Sequence, residues 1–247
     1  MCIVLLAKDV HPDYPLILLA NRDEEFERPT RRMSVWDTEP ALLAGKDLVG
    51  GGTWLGLNES GQLALLTNYR APVTREFESS RGRLVVDYLS GRPRFEEYLE
   101  ETRGDFAGYN LLYGNSQELR HFSNRGDKLT VLPREIHGLS NALLNTPWPK
   151  IERGKGLLAQ ALQAPDNLPE SLFRILADSY RPPDSQLPDT GVGQEAERVL
   201  SSIFISTDRG YGSRSATVLL AGLNGSYQVW ERDYLGGGQL YFNWPPR

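Results

Sequence analysis

Two apolar runs, CIVLLA (2–7) and LILLA (16–20), open the chain, separated by KDVHPDYP. The two prolines and two aspartates of that connector favour a turn over a continued ladder, so the runs predict a hairpin. Their apolar residues sit at consecutive rather than alternate positions, which predicts strands covered on both faces. The second run ends in a polar quartet, Asn21-Arg22-Asp23-Glu24, at what reads as the open end of its strand. A turn near residues 9–14 would set position 2 opposite residues 20–22.

TWLGLN (53–58) and QLALLTNY (62–69) flank Glu59-Ser60-Gly61 and predict a second hairpin. Strand patterns continue in GYNLLYG (108–114), ELRHFS (118–123), KLTVL (128–132) and EIHGLSN (135–141). A last group comprises IFIST (203–207), ATVLLAG (216–222) and YQVWER (227–232), with Asn224-Gly225 as a hairpin signal. Helical spacing appears over 79–90, 94–103, 148–163 and 168–180, and Pro149 suits a first helical turn. The polar, proline-bearing stretch 181–198 predicts a surface loop. Strands and helices come in groups rather than in strict alternation. That predicts an α+β fold, two stacked antiparallel sheets with helices on the outer faces, in one domain over residues 1–247.

Composition narrows the function classes. The 247 residues carry 27 basic and 32 acidic side chains, a net charge of −5, with no basic stripe to attract nucleic acid. The apolar runs fall far short of the roughly 20 residues a membrane span requires, and no secretory signal pattern opens the chain. One cysteine excludes an internal disulfide, and a cytoplasmic setting is expected. The three histidines show no metal-ligand spacing, Gly50-Gly51-Gly52 matches no nucleotide-binding pattern, and no metal or cofactor requirement is expected.

The single cysteine, Cys2, directly follows the initiator methionine. Methionine is usually trimmed before a small residue, and trimming would leave thiol and α-amine on one residue. Their ordinary pKa values, about 8.5 and about 8, let the amine take the thiol's proton near neutrality. Packing in the first strand is the competing reading, since free cysteine is among the most buried residue types. By strand pairing, Arg22 or Asp23 lies near the thiol; both remain open at this level, as does a plain surface turn. Asn68 and Asn141, at strand ends, are candidate amide donors to an oxyanion or ordinary turn residues. Arg214, in GYGSRSATVLL, is a candidate anion- or thiolate-holding residue or a solvated one.

Taken together, MCIVLLA, LLANRDEEFERPT, GGGTWLGLNESGQLALLTNYR, SRGRLVVDYL, GLSNALLNTPWPK and YGSRSATVLL resemble the NRDE family, bacterial relatives of the Transport and Golgi organisation 2 proteins. The resemblance runs from residue 1 to about 222. It implies an αββα sandwich like that of the N-terminal-nucleophile hydrolases, a group that includes bile-salt hydrolases and penicillin acylases. It also implies Cys2 as nucleophile, Asp23 near the α-amine, Asn68 and Asn141 as amide donors, and Arg214 near the thiol, with Asn21, Arg22 and Glu24 as supporting residues. Because adjacent strand residues point to opposite faces, Asp23 rather than Arg22 is expected to face Cys2. The implied activity is hydrolysis of an amide or thioester bond. Family associations with haem trafficking and with acyl-CoA or lipid homeostasis imply an alternative, a carrier of haem or another lipid-like small molecule. Trp36, Trp54, Tyr69 and Trp148 are the candidate cleft aromatics.

Overall fold

The computed structural model describes residues 2–72, 75–163 and 167–245. The first hairpin forms as expected, from β1 (Cys2–Lys8) and β2 (Leu16–Glu25). Six strands make one antiparallel sheet. Its other members are β10 (Glu135–Leu139), β11 (Tyr211–Ala221), β12 (Tyr227–Asp233) and β13 (Gln239–Trp244), in the order β10-β1-β2-β11-β12-β13. The second sheet is a seven-stranded meander of β3 (Thr30–Trp36), β4 (Leu42–Asp47), β5 (Leu55–Asn58), β6 (Leu63–Asn68), β7 (Tyr109–Gly114), β8 (Leu119–Ser123) and β9 (Thr130–Val131).

The continuous apolar runs serve two cores at once. Even-numbered residues of the first hairpin, such as Val4, Leu6 and Leu18, pack against Leu57, Leu65 and Leu112 of the facing sheet. Odd-numbered ones, Ile3, Leu5, Ile17 and Leu19, pack outward on α3 (Pro149–Ala161) and α4 (Leu168–Leu176) through Leu158, Leu172 and Ile175. A third core lies under α1 (Gly82–Leu89) and α2 (Phe95–Glu101) on the second sheet. A one-residue slip would exchange the two faces of the hairpin, and each fully buried leucine is worth about 2–5 kcal/mol against alanine. The register is therefore fixed on both sides, with Cys2 paired to Arg22. The layers are helix, sheet, sheet, helix.

Several expectations need correction. The quartet Asn21–Glu24 lies inside β2, not beyond its end, because β11 continues the ladder past Cys2 by pairing Asp23 with Ser213 and Glu24 with Gly212. IFIST is not a strand. Ile203 packs in the outer core and Ile205 is buried, but the Ile205 carbonyl accepts from the Ser213 N–H at 2.8 Å as an irregular connection. Residues 181–198 are not wholly loop: they hold a short turn of 3-10 helix at Asp184–Gln186 and the start of α5 (Gln194–Val199). The pairs β3–β4 and β12–β13 exceed the sequence reading, since β3, β4 and β13 were not anticipated. Among the described residues, no helix is long and apolar enough to cross a membrane.

Candidate active site

The site forms where the two sheets splay at the start of β1. Cys2 opens onto a cleft holding about 580 Å³ of open space, shared with Arg22, Asp23, Glu24, Arg28, Asp47, Thr53, Trp54, Leu66, Asn68 and the segment Ser80–Gly82. The residue opposite Cys2 is Arg22, not Asp23. Parity decides this: Cys2 and Arg22 continue the even-numbered, inter-sheet faces of their strands. Asp23 acts on the thiol from its backbone, whose N–H points at the sulfur, while its carboxylate accepts a 2.6 Å hydrogen bond from the Ser213 hydroxyl.

Arg22 is only 5% exposed. Its guanidinium stacks on the Trp54 ring at 4.2 Å, and that indole in turn lies across Gly45, where any Cβ would meet the ring at 2.3 Å. Arg22 stands 3.7 Å from Asp47 and 3.8 Å from Glu24, beyond hydrogen-bond length. Asp47 is engaged elsewhere, by Arg28 at 2.8 Å and by the Val49 and Gly50 N–H groups at 3.0 Å each. Burial pushes its carboxyl up, but those donors outweigh burial and hold it below the usual carboxylate range.

Behind the thiol lies a second polar layer that the sequence did not signal. Lys150, at the start of α3, is buried and donates to the Leu200 carbonyl at 2.9 Å. Burial and the nearby Arg70 push its amine down to about 8, against the pull of Asp23 and Cys2. Arg70 forms a buried ion pair with Glu197 at 2.5 Å and stacks on Trp148 at 4.7 Å. Its backbone N–H donates to the Asn141 carbonyl at 2.7 Å.

The remaining expected residues divide. Asn68 lines the cleft with Cys2. Asn141 is buried one layer back: its amide donates to the Asn68 carbonyl at 2.8 Å, and its oxygen accepts from the Ser140 hydroxyl at 3.2 Å. Ser140 also donates to the Cys2 carbonyl at 3.1 Å, so this segment braces both cleft residues. Arg214 is not at the thiol. A register shift between Ser213 and Ser215 turns it away, and it donates to the Glu25 and Arg28 carbonyls at 3.0 and 2.7 Å. Asn21 faces the helices instead, donating to Leu176 and Ile203 carbonyls. Of the aromatics, Trp54 alone lines the cleft; Tyr69 packs by Gly108, Trp148 lies under Arg70, and Trp36 donates to the Ala44 carbonyl. Arg81 and Arg28 were missed, and only their place within motif-bearing segments hinted at them. Arg81 is half-buried beside Cys2, donating to the Gly108 carbonyl at 2.9 Å.

A family model described as Transport and Golgi organisation 2 matches residues 1–236. The chain belongs to that family. Its relatives include the Transport and Golgi organization protein 2 homolog of Bos taurus, 34% identical over 259 residues and covering 96% of this chain and 94% of the bovine one. The Drosophila melanogaster Transport and Golgi organization protein 2 is 28% identical over 254 residues, covering 89% and 87%. Among solved structures, an N-acylethanolamine-hydrolyzing acid amidase ortholog of Caenorhabditis elegans superposes with a TM-score of 0.50 at 12% identity, over 90% of this chain and 94% of that one. This member of the Transport and Golgi organisation 2 family thus has an N-terminal-nucleophile-hydrolase-like sandwich fold.

Burial raises the Cys2 thiol above its ordinary range, and the Asp23 carboxylate pushes the same way against Arg22. A raised pKa keeps the thiol protonated at neutral pH. Alkylation of Cys2 by iodoacetamide in the Met1-bearing chain is therefore expected to rise steeply with pH from 7 to 9 rather than reach a plateau near neutrality. Intact-mass kinetics reads this; a plateau below pH 8 would contradict it.

Proposed function

We propose that this protein is a cysteine hydrolase of N-terminal-nucleophile type, cleaving an amide or thioester bond. The observation that carries the reading is the meeting at one cleft of the chain's only thiol, its cross-strand partner Arg22, the Asp23 N–H and Asn68. Removal of Met1 would expose the Cys2 α-amine beside Asp23, supplying the base that a raised thiol pKa demands. Sγ adds to the substrate carbonyl carbon, and the amine takes the thiol proton. Asn68 donates to the oxyanion, with Asn141 holding the Asn68 backbone in place. Collapse breaks the C–N or C–S bond, and the protonated amine returns its proton to the leaving group. Water then attacks the acyl-thioester, releasing the acid and restoring the thiol. An amide donor of this kind is worth roughly 3–4 kcal/mol in the transition state.

Turnover of a panel of N-acyl amides and acyl thioesters by the Met1-free chain tests the proposal. Cys2→Ala is expected to remove at least about 1,000-fold of the rate, and hydrolysis unaffected by that substitution would refute it.

A carrier of haem or an acyl-CoA is the second reading. It is favoured by an open groove with about 1,790 Å³ of space, in which Val192, Ala196, Val199 and Leu200 lie beside the charged Arg181 and Arg209. Saturable binding that survives Cys2→Ala, without turnover, would favour it over the hydrolase.

A further inference from the structure

The Cys2 cleft contains cationic groups that the thiol chemistry does not use. Arg22 is nine-tenths buried or more, and its Nη1 has no hydrogen-bond partner. Arg81 spends one Nη on the Gly108 carbonyl, and no carboxylate among the described residues forms an ion pair with it. Arg81 also stands at the N-cap position of α1, whose first turn holds no acidic residue and whose end has no side-chain cap. The positive end of that helix thus opens on the cleft at Ser80–Gly82. The three carboxylates of the lining do not cancel this charge. Asp47 is taken by Arg28, and Asp23 accepts from Ser213. Asp47 and Glu24 stand 3.7 and 3.8 Å from Arg22, neither within hydrogen-bond length of its guanidinium.

We propose that Arg22, Arg81 and the N-terminal end of α1 form an anion subsite beside Cys2, so that the substrate carries a carboxylate or phosphate close to its scissile carbonyl. The inference rests on the hydrolase reading for the word substrate, but the anion site itself does not. An anionic group entering the cleft gives the unpartnered Nη1 of Arg22 an acceptor, takes the free N–H groups of Arg81, and meets the helix dipole end-on. A neutral acyl amide leaves all three unanswered, with a buried guanidinium still short of an acceptor.

Because Cys2 is the only cysteine, alkylating reagents of different charge report on the subsite directly. Iodoacetate carries a carboxylate next to its reactive carbon, and iodoacetamide is its neutral counterpart. Both react with the same thiolate, so the ratio of their rates cancels thiol ionisation. The ratio in the wild-type chain is expected to exceed that of a free cysteine peptide by about tenfold, the worth of one good charged hydrogen bond. Arg81→Gln should return it to the peptide value. Arg83→Gln should leave it high, since Arg83 is exposed and faces Asp87 on the same helix. At constant ionic strength, inorganic phosphate or acetate should slow iodoacetate selectively; the one effective at lower concentration identifies the group as phosphate or carboxylate. A wild-type ratio at the peptide value, or one unchanged by Arg81→Gln, overturns the subsite while leaving the nucleophile intact. A thiol inert to both reagents up to pH 9 would instead count against Cys2 as nucleophile. Thermal stabilisation then decides the subsite: a shift with phosphate or acetate lost in Arg81→Gln supports it, and no shift, or the same shift in both, overturns it.

Discussion

Replacing Glu197 by alanine is expected to lower stability by about 3–5 kcal/mol, the cost of stranding one partner of a buried ion pair. Glu197 is 2% exposed and accepts from Arg70 at 2.5 Å and from the Thr190 N–H at 3.0 Å. Without it, the Arg70 guanidinium stays buried without its carboxylate partner, keeping the Asn141 oxygen at 3.5 Å and the Trp148 ring at 4.7 Å. In a chain of this length each kcal/mol moves the melting temperature by about 2–4 °C, so the midpoint should fall by roughly 6–20 °C. Thermal unfolding followed by circular dichroism measures it. The double substitution Arg70→Met with Glu197→Met should recover much of the loss, because it removes both desolvated charges. A single-substitution loss under 1 kcal/mol would mean that the pair does not hold α5 to the segment that follows β6. Function should suffer with stability, since Arg70 also fixes the Asn141 carbonyl and, through Asn141, the Asn68 backbone.

Gly52→Ala is the second substitution with a large expected effect. A Cβ at Gly52 would stand 2.4 Å from the carbonyl carbon of Gly82 and 2.8 Å from the Arg83 nitrogen, all backbone atoms that no rotamer change can move aside. The first turn of α1 must then withdraw from the Gly52–Thr53 segment, breaking the 3.2 Å bond from the Thr53 N–H to the Gly82 carbonyl. Overpacking of this kind costs about 1–3 kcal/mol. Its particular signature lies in the cleft, because Ser80 and Arg81 move with the helix end. The preference of Cys2 for an anionic alkylating reagent should collapse even under conditions where the protein remains folded. Gly104→Ala is the control: nothing lies within 4 Å of a Cβ there, and both stability and reagent preference should hold.

The parts of this molecule legible in its sequence are those set by hydrophobic pattern. Two unbroken apolar runs around a proline-rich connector predict a doubly covered hairpin with residue 2 opposite residues 20–22, and the structure selects Arg22 from that range. The sandwich architecture followed from the grouping of strands and helices. What pattern does not encode is how a strand behaves once its neighbours arrive. Asn21 to Glu24 look like a strand end in isolation, yet β11 pairs alongside and extends β2 through them. Arg214 sits beside the expected ladder, but a bulge turns its side chain to the Glu25 and Arg28 carbonyls. The half-exposed strand TRRMSVW alternates too weakly to be seen, and its partner β4 was lost with it.

The cleft was legible in part for the same reason. Cys2, Arg22, Asp23, Glu24, Trp54 and Asn68 line it together, and all lie on or next to strands whose register the apolar runs fix. Arg81 and Lys150 come from helix starts, where no spacing rule ties a residue to a distant strand. Lys150 in particular looks like an ordinary charged residue in a first helical turn; only the packing of α3 on β1 and β10 buries it.

The central claim, that Cys2 is a nucleophile released by loss of Met1, is tested most directly by mass spectrometry of the native protein mixed with an acyl thioester bearing a carboxylate near its carbonyl. The account predicts a chain beginning at Cys2 that gains the acyl mass on that residue and loses it again as acid is released, with no adduct in Cys2→Ala. Turnover by a chain that retains Met1, or an acyl mass that survives Cys2→Ala, would contradict it.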